Sequence, residues 1–510
     1  MKAIPVIDIF AGPGGLSEGF FSVEEDGERL FDIRFSVECK NEPFETLRLR
    51  AFFRQFPPGL VPRDYYRFMR GEIDLDRLYH LWPEQTSNAK KETWQATLGE
   101  CDQDELDSKI KDGIGGCSNW VLLGGPPCQA YSTYGIVGNR TRLGYSQQAD
   151  VRFRLYREYI RVLAQHVPAV FVLENVPGIL AARSGSGYII DELLQGLAKP
   201  GDFAFREYGL WPEASHYRLF SLTSGLCGIG GDPRAFLVRA EEFGIPQSRH
   251  RIIIVGIRDD LDPSGFHTAE STGQTSMQSV LNDMPPIRSA LSKERDSDLA
   301  WRGVFSGLED EEWIEELNGA HNGMLKDFIL QSGRELSKTL PEWGRGADFI
   351  PCEPSPAWNR EWYVDTLLGG VCHHQGRPHI RRDLHRYLFS ACFGRVVGRS
   401  PKLPDFPPSL LPNHRNSNSG SFRDRFRVLM PDRPAGTVIS HLSKDGHAFI
   451  HPDALQCRSL SPREAARLQT FPDNYYFFGG RASKFHQIGN AVPPLLAKLV
   501  GQSIAGLFVQ

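Results

Sequence analysis

A cysteine follows two glycines and two prolines in the stretch LLGGPPCQAYS. The residues before it, NWVLLGG, have the pattern of a short buried strand, and Pro126-Pro127 end that strand because proline continues neither a strand nor a helix. Cys128 is thereby predicted at the carboxyl end of a strand, where open α/β sheets bind their ligands. Since a cysteine beside a strand is most often a small buried hydrophobe, a nucleophilic role for Cys128 depends on partner residues elsewhere.

Glu174 is the first such partner, because it ends a second apolar strand in PAVFVLENVPG. The intervening sequence around Leu155, Tyr159 and Leu163 has helical spacing, so strand, helix and strand form a βαβ unit. That connection places Cys128 and Glu174 at the same edge of neighbouring strands. A glutamate there is predicted to act as a general acid toward a ring nitrogen.

Two arginines precede a third apolar strand in QSRHRIIIVG. Arg249 and Arg251 are two residues apart, and side chains at this spacing on an extended segment point to the same side. Both guanidinium groups are therefore expected to face one site, although solvated surface arginines are the commoner reading of such a pair.

The amino terminus contains a strand, a glycine-rich turn and a helix in IPVIDIFAGPGGLSEGF. Such a turn lets a ligand approach the backbone at the start of a helix, as nucleotide-like cofactors do, but the glycines lack the GxGxxG spacing of dinucleotide-binding proteins. The next strand, FDIRFSVECK, ends in Glu38, which is well placed to accept hydrogen bonds from ribose hydroxyl groups.

The bulk composition is that of a folded protein larger than one typical domain. The chain has 510 residues, of which 40% are hydrophobic, and its nine cysteines include no CxxC pair, so neither a disulfide framework nor a zinc ribbon is indicated. There is no apolar run of membrane length and no signal-peptide pattern, which favours a cytoplasmic protein. The net charge of −4 neither indicates nor excludes a nucleic-acid partner.

The carboxyl-terminal region carries two helix signals. SLSPREAARLQTFPD has a capping box, Ser461 with Glu464, and Pro462 at the first helical position. QIGNAVPPLLAKLVGQSIAGLF predicts a Gly-Asn turn followed by an amphipathic helix that packs back on the first strand.

Taken together, these blocks resemble the DNA cytosine-5 methyltransferases, in the order in which that family carries them: DIFAGPGGLSEGF, GGPPCQAYS, ENVPG, QSRHRIIIVG, RSLSPREAARLQTFPD and QIGNAVPP. The resemblance covers about residues 1–56, 119–260 and 430–510. It implies that Cys128 adds to C6 of cytosine, that Glu174 binds the exocyclic amine and N3, and that Arg249 and Arg251 hold O2 and nearby oxygens. It identifies no base for removal of the C5 proton.

The cofactor implied by the resemblance is S-adenosylmethionine. Two departures from the family pattern are visible, namely Cys39 where relatives carry a bulkier apolar group and the placement of the next acidic position at Glu72-Ile73. The residues that match cofactor-binding positions are Phe10, Ala11, Gly12, Gly14, Gly15, Leu16, Glu38, Cys39, Glu72, Ile73, Pro127, Leu155, Asn490 and Val492.

The partner implied by the resemblance is double-stranded DNA, with the target base flipped out of the helix. The polar stretch 129–149 is predicted to be a catalytic loop, and residues 369–402 to be a basic face on the phosphate backbone. The predicted DNA contacts are Gln129, Ser132, Arg140, Arg142, Gln247, Arg377, Arg381, Arg382 and Thr437. No metal site is predicted, because Cys372, His373, His374, His379 and Cys392 are irregularly spaced and are better explained as solvated or DNA-facing side chains.

The sequence thus predicts an α/β enzyme with a doubly wound, Rossmann-like methyltransferase domain at 1–260, including an insertion at 57–118 and completed by 456–510. A smaller target-recognition domain occupies 261–455. A monomer in the prokaryotic cytoplasm is expected, acting in restriction-modification with a partner nuclease, in another phage-defence system or as an orphan enzyme. Two alternatives remain open, namely a tRNA cytosine-5 methyltransferase of the same fold and a catalytically silent DNA-binding protein.

Overall fold

The computed structural model describes residues 3–127, 155–184, 187–210, 215–228, 230–317, 320–412 and 425–509. Five of the predicted site residues lie outside these ranges, and their roles stay predictions: Cys128, Gln129, Ser132, Arg140 and Arg142. Within the described residues, no helix is both long enough and apolar enough to span a membrane.

Thirteen strands define the sheets discussed below. They are β1 Ile4–Ile9, β2 Phe31–Glu38, β3 Thr93–Gln95, β4 Val121–Gly124, β5 Val170–Asn175, β6 Tyr217–Ser221, β7 Gly225–Cys227, β8 Leu237–Arg239, β9 His250–Arg258, β10 Ala290–Leu291, β11 Gly346–Pro351, β12 Gly370–Gln375 and β13 Pro378–His379. Two short hairpins also pair Glu24–Glu25 with Glu28–Arg29 and Arg183–Ser184 with Gly187–Tyr188.

Eighteen α-helices complete the set of elements used here. They are α1 Gly15–Phe21, α2 Asn41–Arg54, α3 Arg63–Met69, α4 Leu75–Leu81, α5 Pro83–Glu92, α6 Gln103–Ile114, α7 Leu155–His166, α8 Ile189–Ala198, α9 Pro200–Tyr208, α10 Gln278–Leu281, α11 Asp298–Arg302, α12 Glu312–Glu315, α13 Ala320–Leu336, α14 Arg360–Tyr363, α15 Arg381–Val397, α16 Pro462–Leu468, α17 Arg481–Asn490 and α18 Pro494–Ala505.

The described chain divides into two compact units. The first unit contains residues 1–61, 79–273 and 491–510, and the second unit contains 62–78 and 274–490. This division differs from the predicted domain boundaries, because residues 62–78 and 456–490 belong to the second unit and residues 261–273 belong to the first. The functional assignment of each domain stays a prediction.

The first unit is built on one mixed sheet in the order β7-β6-β9-β5-β4-β1-β2-β3, with β8 paired to β9. The five strands from β5 to β3 are parallel, and β9 joins β5 in the antiparallel sense. Strand order reverses between β1 and β4, since the chain runs from β1 to β2 and β3 on one side before it returns to β4 on the other. This doubly wound arrangement confirms the predicted fold class, and the reversal point is where such sheets bind ligands.

The predicted insertion at 57–118 supplies part of this sheet. β3 extends the sheet beside β2, and α6 packs against β1 and β2 on the way to β4. Residues 93–118 therefore contribute to the sheet and its covering helices, while the interpretation of 57–118 as an insertion stays a prediction. A three-residue strand containing Trp94 is too short to show an alternating pattern, which is why the sequence did not reveal it.

The central strands are apolar on both faces because helices cover both sides of the sheet. One cluster contains Leu122, Phe171 and the helix residue Tyr159. The opposite cluster contains Val6 of β1 together with Leu496 and Val500 of α18. The carboxyl-terminal helix thus packs beside the first strand, as the sequence predicts.

The second unit has a core formed mainly by helices. α13 packs against α15, and their apolar side chains cluster with three large aromatic residues, Trp301, Trp313 and Phe389. β11 and β12 form an antiparallel hairpin, and α16 packs against β12.

Buried ion pairs surround α16 in this core. Its predicted capping box is present, with the Ser461 hydroxyl accepting from the Glu464 amide and the Glu464 carboxylate accepting from the Ser461 amide. The same carboxylate receives two hydrogen bonds from Arg458, at 2.6 and 2.7 Å, while Arg467 donates to both oxygens of Asp473 and to Asp283. The guanidinium of Arg458 holds the pKa of Glu464 well below its usual range, against the opposing effect of burial.

The prediction of an exposed basic face at 369–402 is wrong for most of that stretch. β12 is buried almost throughout, and α15 is buried from Leu384 to Gly394. The histidines there have partners inside the protein: His374, for example, contacts the Ser461 hydroxyl and the Pro285 carbonyl at 2.7 and 2.8 Å. Burial lowers the pKa of His374 to about 4, so this side chain is neutral.

The predicted Gly-Asn turn at 489–490 is also wrong, because α17 continues through Asn490. A Cβ at Gly489 would lie 2.4 Å from the backbone of Ile439 and Ser440. Gly489 therefore allows a close approach between two backbone segments rather than a turn.

Candidate active site

The carboxyl end of β1 turns sharply into α1. Phe10, Gly12 and Gly14 all have positive φ angles, of 60°, 59° and 96°, and the Ala11 amide donates to the Val37 carbonyl of β2 at 2.9 Å. A Cβ at Gly12 would meet no atom within 4 Å, so this side of the turn faces open space. The turn thus exposes backbone at the edge where strand order reverses.

Glu38 ends β2 beside this turn and is only 8% exposed. Its Oε2 accepts a hydrogen bond from the Gly12 amide at 3.0 Å, and its Oε1 accepts one from the Lys40 amide at 2.8 Å. Cys39 follows, and its thiol donates to Glu38 Oε1 at 3.6 Å; partial burial and the charge of Glu38 raise the pKa of this thiol. A carboxylate accepts about four hydrogen bonds, so Glu38 retains acceptor capacity for hydroxyl groups of a ligand.

β3 ends beside Glu38, a neighbour that the sequence pattern does not reveal. Gln95 pairs in register with Glu38, and the Ala96 amide donates to the Glu38 carbonyl at 3.2 Å. The predicted acidic position, Glu72-Ile73, instead follows α3 in the second unit, where Arg70 and Arg67 bind the Glu72 carboxylate at 2.5 and 3.5 Å. The structure therefore assigns Gln95, and not Glu72, to the strand end next to Glu38.

Asp8 lies below the turn, fully buried within β1. Its Oδ2 accepts a hydrogen bond from the Ser17 hydroxyl of α1 at 2.5 Å, whereas Oδ1 has no hydrogen-bond partner among the described residues. Burial raises the pKa of Asp8 to about 6, while the Ser17 hydrogen bond opposes this rise.

Glycines on one face of α1 allow α18 to approach closely. A Cβ at Gly15 would lie 2.2 Å from the Val492 carbonyl oxygen, and one at Gly19 would lie 2.3 Å from the Pro494 carbonyl oxygen and 2.4 Å from the Ala497 Cβ. Val492, a predicted cofactor contact, is thereby held against the first turn of α1.

Glu174 and Arg251 form an ion pair at the same edge of the sheet. Their Oε1 and Nε atoms are 2.7 Å apart, and both side chains are about nine-tenths buried. A Cβ at Gly125 would lie 3.2 Å from Glu174 Oε2, so the glycine two residues before Pro127 gives this carboxylate room. The predicted proximity of Glu174 to the Gly-Gly-Pro-Pro segment is present in the described residues.

Arg249 and Arg251 bind different groups of the protein, and the expectation that both face one site stays a prediction. Arg249 is buried and donates to the Ala491 carbonyl at 2.8 Å. It is not part of β9, which begins at His250, so the alternation of an extended strand does not apply to it. Arg249 thus connects this segment to the start of the carboxyl-terminal segment of the first unit.

The other predicted site residues are distributed between the two units. In the first unit, Leu16 lies in α1, Pro127 ends the described part of the β4 loop, Leu155 begins α7 and Gln247 is fully buried. In the second unit, Asn490 ends α17, Thr437 is half-buried, Arg377 is buried, Arg381 pairs with Glu294 at 2.8 Å and Arg382 pairs with Glu311 at 3.3 Å. Their roles in cofactor or DNA binding stay predictions. No group of three or more potential metal-ligating side chains occurs among the residues described.

Comparison with known proteins identifies the family. The family model for C-5 cytosine-specific DNA methylases matches residues 80–506. The chain is 30% identical to the type II methyltransferase M.Bpa9945I of Bacillus paralicheniformis, over 98% of both chains. It is 27% identical to the DNA (cytosine-5-)-methyltransferase M.ApeKI of Aeropyrum pernix, over 99% of both.

A solved structure supports the fold. It is described as a DNA modification methyltransferase encoded within an E. coli prophage, and it aligns over 100% of both chains with a TM-score of 0.52 and 18% identity. From the match of the family model to most of its length, the chain belongs to the C-5 cytosine-specific DNA methylases and is a DNA (cytosine-5-)-methyltransferase.

Proposed function

We propose that the protein transfers a methyl group from S-adenosylmethionine to C5 of a flipped-out cytosine in a specific duplex DNA sequence. The observation that carries this proposal is the Glu174–Arg251 ion pair, which lies beside Gly125 at the edge of the sheet. The buried carboxylate can accept hydrogen bonds and the buried guanidinium beside it can donate them, so together they can bind both kinds of polar group on one ring. Cytosine, with an exocyclic amine, N3 and O2 on one edge, matches this pair.

The residues at the strand-order reversal fit S-adenosylmethionine. Gly12 faces open space, and Glu38 keeps acceptor capacity for ribose hydroxyl groups beside the backbone of the β1 turn. Gln95 flanks Glu38 and brings a neutral amide to the same edge of the sheet. When bound there, the cofactor supplies the electrophilic methyl group.

The catalytic step follows from the chemistry of cytosine, whose C5 is a weak nucleophile. Addition of the Cys128 thiolate to C6 would form a C–S bond and make C5 an enamine carbon. C5 would then take the methyl group as the methyl–sulfur bond of S-adenosylmethionine breaks and the neutral thioether leaves. Removal of the C5 proton then lets the C6–S bond break, which restores both the aromatic ring and the thiolate. Glu174 stabilises the adduct by binding N3 and the exocyclic amine, and Arg251 positions Glu174 and reaches toward O2.

We further infer a role in restriction-modification, in which the enzyme protects host DNA from a nuclease of the same specificity. Several relatives that align over almost their whole length are named type II methyltransferases, and the alignment covers 98% of two of them. The expected substrate is double-stranded DNA.

Covalent trapping tests the proposal. Wild-type protein, S-adenosylmethionine and a duplex with 5-fluorocytosine at the target should give a shifted band on a denaturing gel, since fluorine cannot leave as a proton does. Cys128→Ser should give no band and no methylation, because a hydroxyl is a far weaker nucleophile than a thiol at neutral pH. Cys117→Ser is the matched control, since Cys117 is a half-buried cysteine before β4 and should leave trapping unchanged.

The variant Glu174→Gln separates the acid from the nucleophile. An amide binds the base but supplies no proton to N3, so trapping should persist and form much more slowly. A band that persists with Cys128→Ser would show that another residue forms the bond and would overturn the assignment of the nucleophile.

A further inference from the structure

Arg377 is a buried arginine of the second unit with unused hydrogen-bonding capacity. It is 5% exposed, and one of its terminal nitrogens donates to the Leu442 carbonyl. Its Nε is buried without a hydrogen-bond partner in the described part of the chain. The guanidinium carbon lies 5.3 Å from the centre of the Phe485 ring, so Arg377 is directed toward α17.

Arg481 lies on the same face of α17. It is the first residue of this helix and precedes Phe485 by four residues, so its side chain is one turn away from the ring that Arg377 contacts. Arg481 is exposed, and no described residue forms a hydrogen bond or ion pair with its guanidinium.

A third arginine approaches from the β11–β12 hairpin. The Gly376 amide donates to the Arg345 carbonyl at 2.8 Å, which places Arg345 next to the residue preceding Arg377. The Arg345 side chain is 56% exposed, and its nearest carboxylate, Asp296 at 3.9 Å, is bound more closely by Arg288 at 2.9 Å. Arg345 is therefore only weakly neutralised.

The positive charges of these arginines affect one another. Partial burial and the charge of Arg345 lower the pKa of Arg481, and burial together with the charge of Arg481 lowers the pKa of Arg377 to about 10. The carboxylate that acts on Arg377 is Asp445, and it is outweighed by burial and Arg481.

The amino-terminal end of α17 adds to this positive potential. Its first turn contains no acidic residue, so the positive end of the helix dipole coincides with Arg481. The segment 440–443 packs on this helix, and Lys444 follows directly. This segment comes shortly after Thr437, a predicted contact of the DNA backbone.

We propose that Arg481, Arg377 and Arg345 form a binding site for a backbone phosphate of duplex DNA at the amino-terminal end of α17. Arg481 contacts the phosphate directly. Arg377, buried beside α17, and Arg345, at the start of the β11–β12 hairpin, add positive charge to the site. The inference rests on the proposed function, to which it adds an anchoring contact that carries no sequence information.

The test measures DNA affinity for wild type and Arg481→Gln over a range of salt concentrations. One lost phosphate contact should reduce the slope of log Kd against log salt by about 0.9 and weaken binding about threefold to tenfold at low salt, equally for target and non-target duplexes. Arg334→Gln is the matched control, because Arg334 is an exposed arginine on α13 of the same unit and is predicted to leave the slope unchanged.

Inorganic phosphate, added against chloride at equal ionic strength, distinguishes DNA from a free anion as the ligand. Phosphate should compete with DNA on wild type and not on Arg481→Gln. An unchanged slope of log Kd against log salt in Arg481→Gln would overturn the proposal. If the same variant also loses its sensitivity to inorganic phosphate, the site binds a free anion only and not DNA. If the wild type methylates its target and the slope is unchanged, only this site is refuted, whereas absence of any DNA binding by the wild type would refute the proposed function as well.

Discussion

The sheet edge of the first unit and the interior of the second unit differ in how they hold charged side chains. At the sheet edge, Glu38 is bound by backbone amides and Glu174 by a single arginine, so both carboxylates keep unused acceptor positions. In the second unit, Arg458, Arg463 and Arg467 are completely buried, and protein carboxylates or carbonyl groups bind each of them. Charge at the edge is thus available to a ligand, whereas charge in the interior stabilises the fold.

Arg467→Met tests the structural role of the interior charges and should have the largest effect. The substitution leaves Asp473 and Asp283 without their cation, and breaking a buried pair by removing one partner costs about 3–5 kcal/mol. Urea unfolding followed by tryptophan fluorescence should therefore show a large fall in the free energy of unfolding.

Arg433→Met is the control for this substitution. Arg433 pairs with Asp432 on the surface of the same unit, where both side chains are more than half exposed. Exposed pairs contribute little, so its unfolding midpoint should match that of the wild type. Equal unfolding midpoints for Arg467→Met and the wild type would contradict the comparison.

Much of the sheet edge was predictable from the sequence. The sequence shows apolar strands that end in Glu38 and Glu174 and a glycine-rich turn after β1. Each of these elements is encoded by adjacent residues, so its pattern is visible in the sequence alone. The capping box at Ser461 is local in the same sense. What these signals share is that neighbours in the chain are also neighbours in the structure.

The interior charges were not predictable in this way. The basic stretch around His374 and His379 was interpreted as a DNA-binding face because the residues that bond to these histidines, Ser461 and Ser459, are far away in sequence. The same reason explains why Gln95 was missed, since only the pairing of β3 with β2 brings it to Glu38. Composition indicates that charge is present but does not reveal whether the protein or a ligand binds it.

Gly19→Ala tests whether the first unit depends on close backbone packing. The added Cβ would lie 2.3 and 2.4 Å from atoms of α18, so one helix must move. We expect a loss of about 1–3 kcal/mol in the free energy of unfolding, together with weaker cofactor binding, because Val492 lies on the same contact. Urea unfolding and calorimetric titration with S-adenosylmethionine measure the two effects.

Gly323→Ala is the matched control, because a Cβ at Gly323 in α13 would meet nothing within 4 Å. Alanine is favoured over glycine in a helix by about 1 kcal/mol, so this variant should be slightly stabilised. If both alanine variants behave alike, helix propensity and not packing determines the effect at Gly19.

Asp8 is a fully buried charged group of the first unit, and its effect on stability depends on pH. Its folded pKa of about 6 is above its ordinary value of 3.8, so the folded state binds the proton more tightly than the unfolded state. The stability contributed by protonated Asp8 is therefore present at low pH and is lost as the pH rises through 6.

Asp8→Asn removes this dependence while the amide oxygen still accepts from Ser17. The free energy of unfolding of the variant minus that of the wild type should be larger at about pH 7.5 than at about pH 5, by about 1–2 kcal/mol. Urea unfolding at both pH values measures this difference. Ser17→Ala sharpens the test, because the Ser17 hydroxyl lowers the pKa of Asp8 and its loss should steepen the decline with pH. A stability difference between Asp8→Asn and the wild type that is the same at both pH values would show that Asp8 does not titrate in this range. The Asp8 carboxylate would then keep the same protonation state at both values.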